Sequence, residues 1–131
     1  MKLITRDTDY AIRALCYMAK QPDRFASVSQ LIKYLKIPRA FLRKILQILT
    51  QEEILISYKG KGGGFKLAKK PDKIFLVDLM RAFRGDFVLN ECIFKKKICP
   101  NRTTCRLRKR IEAIQNYVIS ELSSITIAQL I

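Results

Sequence analysis

The stretch Ile54–Pro71, ILISYKGKGGGFKLAKKP, decides how the chain is read. Two short β-prone runs, Ile54 to Tyr58 and Phe65 to Ala68, flank Lys59-Gly60-Lys61-Gly62-Gly63-Gly64. Glycines permit positive φ and a bare backbone, so the segment predicts a β-hairpin with a tight, exposed, cationic tip. A phosphate-binding loop of the nucleotide-hydrolase type is excluded. The glycine and lysine spacing is wrong for it, no Ser or Thr follows the lysine, and no helix opens there.

Upstream lie three amphipathic segments. Residues 8–20, TDYAIRALCYMAK, place Ala11, Ile12, Leu15, Cys16, Met18 and Ala19 on a broad apolar face, with Thr8 or Asp7 as the expected cap. Cys16 lies on that buried side and reads as a small core hydrophobe. Gln21 to Ala26 reads as a loop. A second helix opens at Ser27 or Ser29, with Val28, Leu31, Ile32 and Leu35 inward; a third runs from Pro38 to about Gln51. On the third, Phe41, Leu42, Ile45, Leu46, Ile48 and Leu49 fill one arc. Arg39, Ala40, Arg43, Lys44 and Gln47 fill another, roughly 140° wide. Three cations and an amide on one face suit base edges and phosphates in a major groove. Three short helices followed by a basic hairpin have the sequence shape of a winged helix-turn-helix. The expected fold is therefore mainly α with a small β-hairpin: a winged helix-turn-helix domain plus a long C-terminal dimerisation helix.

Charge supports a polyanion partner. The 131 residues carry a net charge of +15. Residues 31–70 hold ten Lys/Arg against Glu52 and Glu53, and residues 95–110 hold eight with no acid, so the remainder is about neutral. Localised positive charge of this density is the footprint of nucleic-acid binding. No apolar run approaches the roughly 20 residues of a membrane helix. Arg6, Asp7, Asp9 and Arg13 break up any apolar leader, so a cytoplasmic protein is expected. No histidine base, carboxylate pair or nucleotide loop stands out, which speaks against an enzyme and a small-molecule substrate.

Beyond the hairpin, Val77 to Arg84 predicts a fourth helix stopped by Gly85. Further on, Leu107, Ile111, Ile114, Val118, Leu122 and Ile125 recur at spacings of four or three, a heptad-like seam expected to pack on a second copy. A homodimer implies a double-stranded DNA operator of two half-sites. Three spans follow: 1–85 for the DNA-binding domain, 86–106 for a cysteine-bearing loop, and 101–131 for the dimerisation helix and C-terminal segment.

That loop holds three of the four cysteines, Cys92, Cys99 and Cys105, separated by six and then five residues. In an intracellular protein clustered thiols more often ligate metal or do redox work than pair. Structural zinc sites favour close pairs and histidine, and this chain has neither. Loop-borne, wider spacing suits an iron–sulfur cluster, while zinc, redox thiols and inert cysteines remain open.

Several of these residues carry a family resemblance. Thr8-Asp9-Tyr10-Ala11 with Arg13-Ala14-Leu15, then Ile45-Leu46 and Leu49, the wing Lys59 to Phe65 with Leu67, the three cysteines, and Cys105-Arg106-Leu107-Arg108 resemble the Rrf-two family of winged-helix regulators from Leu3 to the chain end. The resemblance implies a homodimeric DNA-binding regulator, in the sense of a repressor, whose [2Fe–2S] or [4Fe–4S] cluster alters operator affinity in response to nitric oxide, redox state or iron supply. IscR-like members take a histidine three residues after the last cysteine; Arg108 stands there. The run from Cys105 is closer to NsrR-like members, in which an aspartate at the start of helix 1 completes the site from the partner subunit, and Asp9 matches it. The expected ligands are thus Cys92, Cys99 and Cys105, with Asp9 as a possible fourth. Arg39, Ala40, Arg43, Lys44, Gln47, Lys59 and Lys61 are expected at the DNA, Arg43 through base preference and Lys61 through phosphate charge. A zinc- or thiol-based regulator binding DNA without a cluster is the alternative reading, and an iron–sulfur electron carrier a more distant one.

Overall fold

The structure, a computed structural model, describes residues 3–85 and 105–131. Helix α1 (Arg6–Ala19) starts two residues earlier than the expected span, because Thr5 is the N-cap and its hydroxyl accepts the Thr8 amide. Thr8, expected as a cap, is instead wholly buried, its Oγ1 2.9 Å from that of Thr5. Asp7 and Asp9 fall in the first turn, where the helix dipole favours acids.

The loop expected at residues 21–26 is partly ordered structure. A 3-10 turn at Pro22–Arg24 leads into a two-residue strand, β1 (Phe25–Ala26). Helix α2 (Val28–Leu35) follows, opened by a capping box in which Ser27 accepts the Gln30 amide and Gln30 accepts the Ser27 amide. Lys36 ends it in a left-handed conformation, and α3 (Arg39–Gln51) begins after Pro38, as its pattern predicts. The hairpin comprises β2 (Leu55–Tyr58) and β3 (Gly64–Leu67), paired antiparallel with Ile56 opposite Lys66 and Ser57 opposite Phe65. β1 adds to the other side of β3, so the hairpin is part of a three-stranded sheet in the order β1-β3-β2. Gly64 makes that addition possible: a Cβ there would lie 2.5 Å from the Ala26 carbonyl oxygen and 2.8 Å from the Phe25 ring.

Apolar faces of α1, α2, α3 and the sheet share one core. Leu15, Met18, Leu31, Leu42, Ile45, Leu46 and Leu49 are fully buried there, each contributing about 1.5–3 kcal/mol by removal from water. Helix α4 (Leu76–Arg84) closes the domain with Leu79 and ends at Gly85, whose φ of 80° is easy only for glycine. Its other side, Leu76 and Met80, meets Leu122 of α5 (Arg106–Ser123) in a smaller second cluster.

The seam divides on this geometry. Val118 and Leu122 pack within their own chain. Leu107 and Ile114 stand 70% and 51% exposed, joined by Tyr117 at 67%. Ile125, read as the last seam position, lies beyond the helix. The Ser123 and Ser124 hydroxyls bond the carbonyls of Ile119 and Glu121, α5 stops, and the Ile125 carbonyl accepts the Leu76 amide. The chain then straps back onto the segment before α4: Phe75 bridges Thr126, and the Ile127 amide bonds the Ile74 carbonyl at 2.9 Å.

Candidate nucleic-acid interface and thiol site

Helix α3 puts its apolar arc into the core, which forces the opposite arc into solvent. Arg39, Ala40, Arg43, Lys44 and Gln47 are all exposed, and no acid occupies the first turn. A cation in a first turn opposes the helix dipole by roughly 0.3–1 kcal/mol. Arg39 is therefore placed against the interest of the isolated helix. Lys59 and Lys61 sit exposed in the turn between β2 and β3, with Gly60 at φ 91° between them.

Between α3 and this wing lies an open cleft of about 480 Å³. Arg39 and Arg43 of α3, Ser57 and Tyr58 of β2, and Ser29 of α2 are among the residues that line it. Neither arginine forms an ion pair among the described residues. The Tyr58 ring is steadied by an edge contact with Phe25, centroids 6.3 Å apart. Sequence reasoning missed Ser29, Ser57 and Tyr58. The signal available was the tyrosine directly before the cationic turn, but its relation to Arg39 exists only after folding.

The thiol site is described in part. Cys92 and Cys99 lie outside the described residues. Cys105 is the N-cap of α5, half-buried, its Sγ accepting the Arg108 amide at 3.4 Å. Arg106, Arg108, Lys109 and Arg110 crowd the turn that follows, with Arg108 bonded to Glu112 at 3.0 Å. Asp9 sits at the start of α1 with its carboxylate held by the Arg13 guanidinium at 2.9 Å, both groups about half-exposed or more. Among the described residues, no three acids or thiols gather into one group. Cys16 is a different kind of cysteine: it packs against the main core, and burial pushes its thiol pKa up, with Lys20 opposing only in part.

Three helices, an antiparallel sheet with a cationic turn, and a C-terminal helix define a winged helix-turn-helix protein of the transcription-regulator class. The family model of Rrf2, described as an iron-dependent transcriptional regulator, matches residues 4–131. The chain belongs to the Rrf2 family. It is 33% identical over 124 residues, covering 93% of this chain and 86% of the other, to a protein of Aquifex aeolicus (strain VF5) carrying the description "Putative HTH-type transcriptional regulator". The fold is similar to that of CymR, the global cysteine regulator of B. subtilis, with TM-score 0.81 at 20% identity, covering 99% of this chain and 96% of that one. It is also similar to T. potens IscR, with TM-score 0.70 at 19% identity over 99% and 85%. The protein is thus a DNA-binding transcriptional regulator. No helix among the described residues is long and apolar enough to cross a membrane.

Proposed function

We propose that this protein is a homodimeric repressor whose affinity for a double-stranded operator is set by an iron–sulfur cluster held by Cys92, Cys99 and Cys105, with Asp9 as fourth ligand. The observation that carries this reading is the match over residues 4–131 to a family described as iron-dependent, a span that includes all three thiols. Cys105 fits such a group: it is half-buried, its sulfur receives an N–H, and Arg106, Arg108, Lys109 and Arg110 follow it with charge that would offset thiolate ligation. When bound, the cluster supplies iron centres whose loss or damage answers to nitric oxide, oxidants or iron shortage.

The chain's own residues give that group something to control. Arg39, Ala40, Arg43, Lys44 and Gln47 face the major groove, and Lys59 and Lys61 meet the backbone or minor groove alongside. The cysteine-bearing segment joins the end of α4 to the start of α5 in sequence, while Leu76 and Met80 of α4 pack on Leu122 of α5. A change in how Cys105 is held therefore acts at the first turn of the helix whose exposed side, Leu107 to Tyr117, meets the second copy. The relative setting of two winged domains, and with it their fit to two half-sites, follows. Asp9 must leave Arg13 to become a ligand, and an exposed ion pair of that kind resists by only about 0–1 kcal/mol.

Anaerobic isolation with visible and EPR spectra, and with iron and sulfide measured per chain, tests the cofactor. Cys99→Ser is expected to abolish the chromophore and to change affinity for a selected operator by more than about tenfold, within a coupling of roughly 1–3 kcal/mol. Colourless wild-type protein with zinc or no metal would replace the cluster by the thiol-based reading.

A further inference from the structure

We propose that the cleft between α3 and the wing is a seat for one backbone phosphate of the DNA, with Arg39, Ser29 and Tyr58 as its ligands. The proposal rests on the operator-binding reading above and adds a division of labour within it. When a recognition helix lies in the major groove and the wing reaches the adjacent minor groove, the sugar-phosphate strand between those grooves passes between the two elements. A cleft bounded by α3 on one side and β2 on the other is where that strand must lie.

Its lining matches a phosphodiester. Arg39 and Arg43 present guanidinium donors without a carboxylate partner among the described residues, and Ser29, Ser57 and Tyr58 add hydroxyls. Arg39 further stands in a first turn whose dipole disfavours a cation, which an external anion corrects. On a helical wheel at about 100° per residue, Arg39 lies at one edge of the outward arc and Lys44 at the other, with Arg43, Gln47 and Ala40 between. The wing-side edge thus grips backbone, and base selection falls to Arg43, Gln47, Ala40 and Lys44. Tyr58 has no place in the base-reading face. Its exposed ring, braced by Phe25, lines the same cleft as Arg39.

The test uses the full chain and a duplex enriched from a random pool of about 30 base pairs, long enough for two half-sites. Each phosphate of the enriched duplex is replaced in turn by an uncharged methylphosphonate. Wild-type protein is expected to lose about tenfold in affinity at one phosphate per half-site, the size of a hydrogen bond to a charged group. Arg39→Gln and Tyr58→Phe are expected to lose that sensitivity at that position alone, to retain the enriched base sequence, and, for Arg39→Gln, to lower the salt slope by about one per chain. Tyr58→Phe keeps the ring contact with Phe25, so its fold is preserved. Unchanged sensitivity at every phosphate in both variants would overturn the proposal while leaving the regulator reading intact. A wild-type protein that enriches no duplex would overturn both.

Discussion

The winged half of the molecule and helix α5 treat their apolar residues in opposite ways. In the winged half, Leu15, Leu31, Leu42, Ile45, Leu46 and Leu49 are covered completely by neighbours from the same chain. On α5 only Leu122 is buried, while Leu107, Ile114 and Tyr117 face solvent. One region folds on its own account. The other keeps an apolar face exposed among the described residues, the face at which the proposed homodimer would meet its second copy.

The sharpest way to test this contrast is to damage each side in turn. Leu42→Ala removes a fully buried side chain near the start of α3 and should lower the unfolding free energy by about 3–4 kcal/mol in urea titration, because the tight surroundings leave a cavity. A loss under about 1 kcal/mol would mean the winged core is loosely packed. Ile114→Asp places a charge on the exposed side of α5. It should leave the winged half folded yet weaken self-association about thirtyfold or more by sedimentation, the scale of a central interface residue. Unaltered association would return α5 to the status of an ordinary surface helix.

How far the sequence revealed these regions follows the same division. Helix α3 was legible to its ends, since Pro38 marks its start and a continuous 3.6-residue period fixes its inner face. The wing was legible because glycines between two β-prone runs leave few alternatives. β1 was not: two residues carry no period, and its partners Phe65 and Lys66 lie about forty positions away. The strap of Ile127 onto Ile74 was hidden for the same reason. At α5 the heptad spacing correctly marked apolar positions but could not say whose surface covers each, so Val118 and Leu122 were grouped with Leu107 although α4 already covers them. In the candidate site, individual cations were legible from charge, whereas the cleft uniting Arg39 with Tyr58 requires α3 and β2 to be folded side by side.

The smallest expected effect concerns Asp9, the one proposed ligand that would cross from the winged half to the thiols of the cysteine segment. Two roles for its carboxylate compete: an i,i+4 ion pair with Arg13 that stabilises α1, and ligation of the cluster. Stability alone does not separate them, because Asp9→Ala and Arg13→Ala each break the same exposed pair and each should change unfolding free energy by less than about 1 kcal/mol. Spectra do. Arg13→Ala leaves the carboxylate in place and free, so the visible and EPR signatures of the anaerobic protein should match wild type. Asp9→Ala should shift them and speed loss of iron to a chelator. Identical spectra in the two variants would confine Asp9 to its helix, leave three thiols as the protein's whole donor set, and require the fourth position to be filled from solvent.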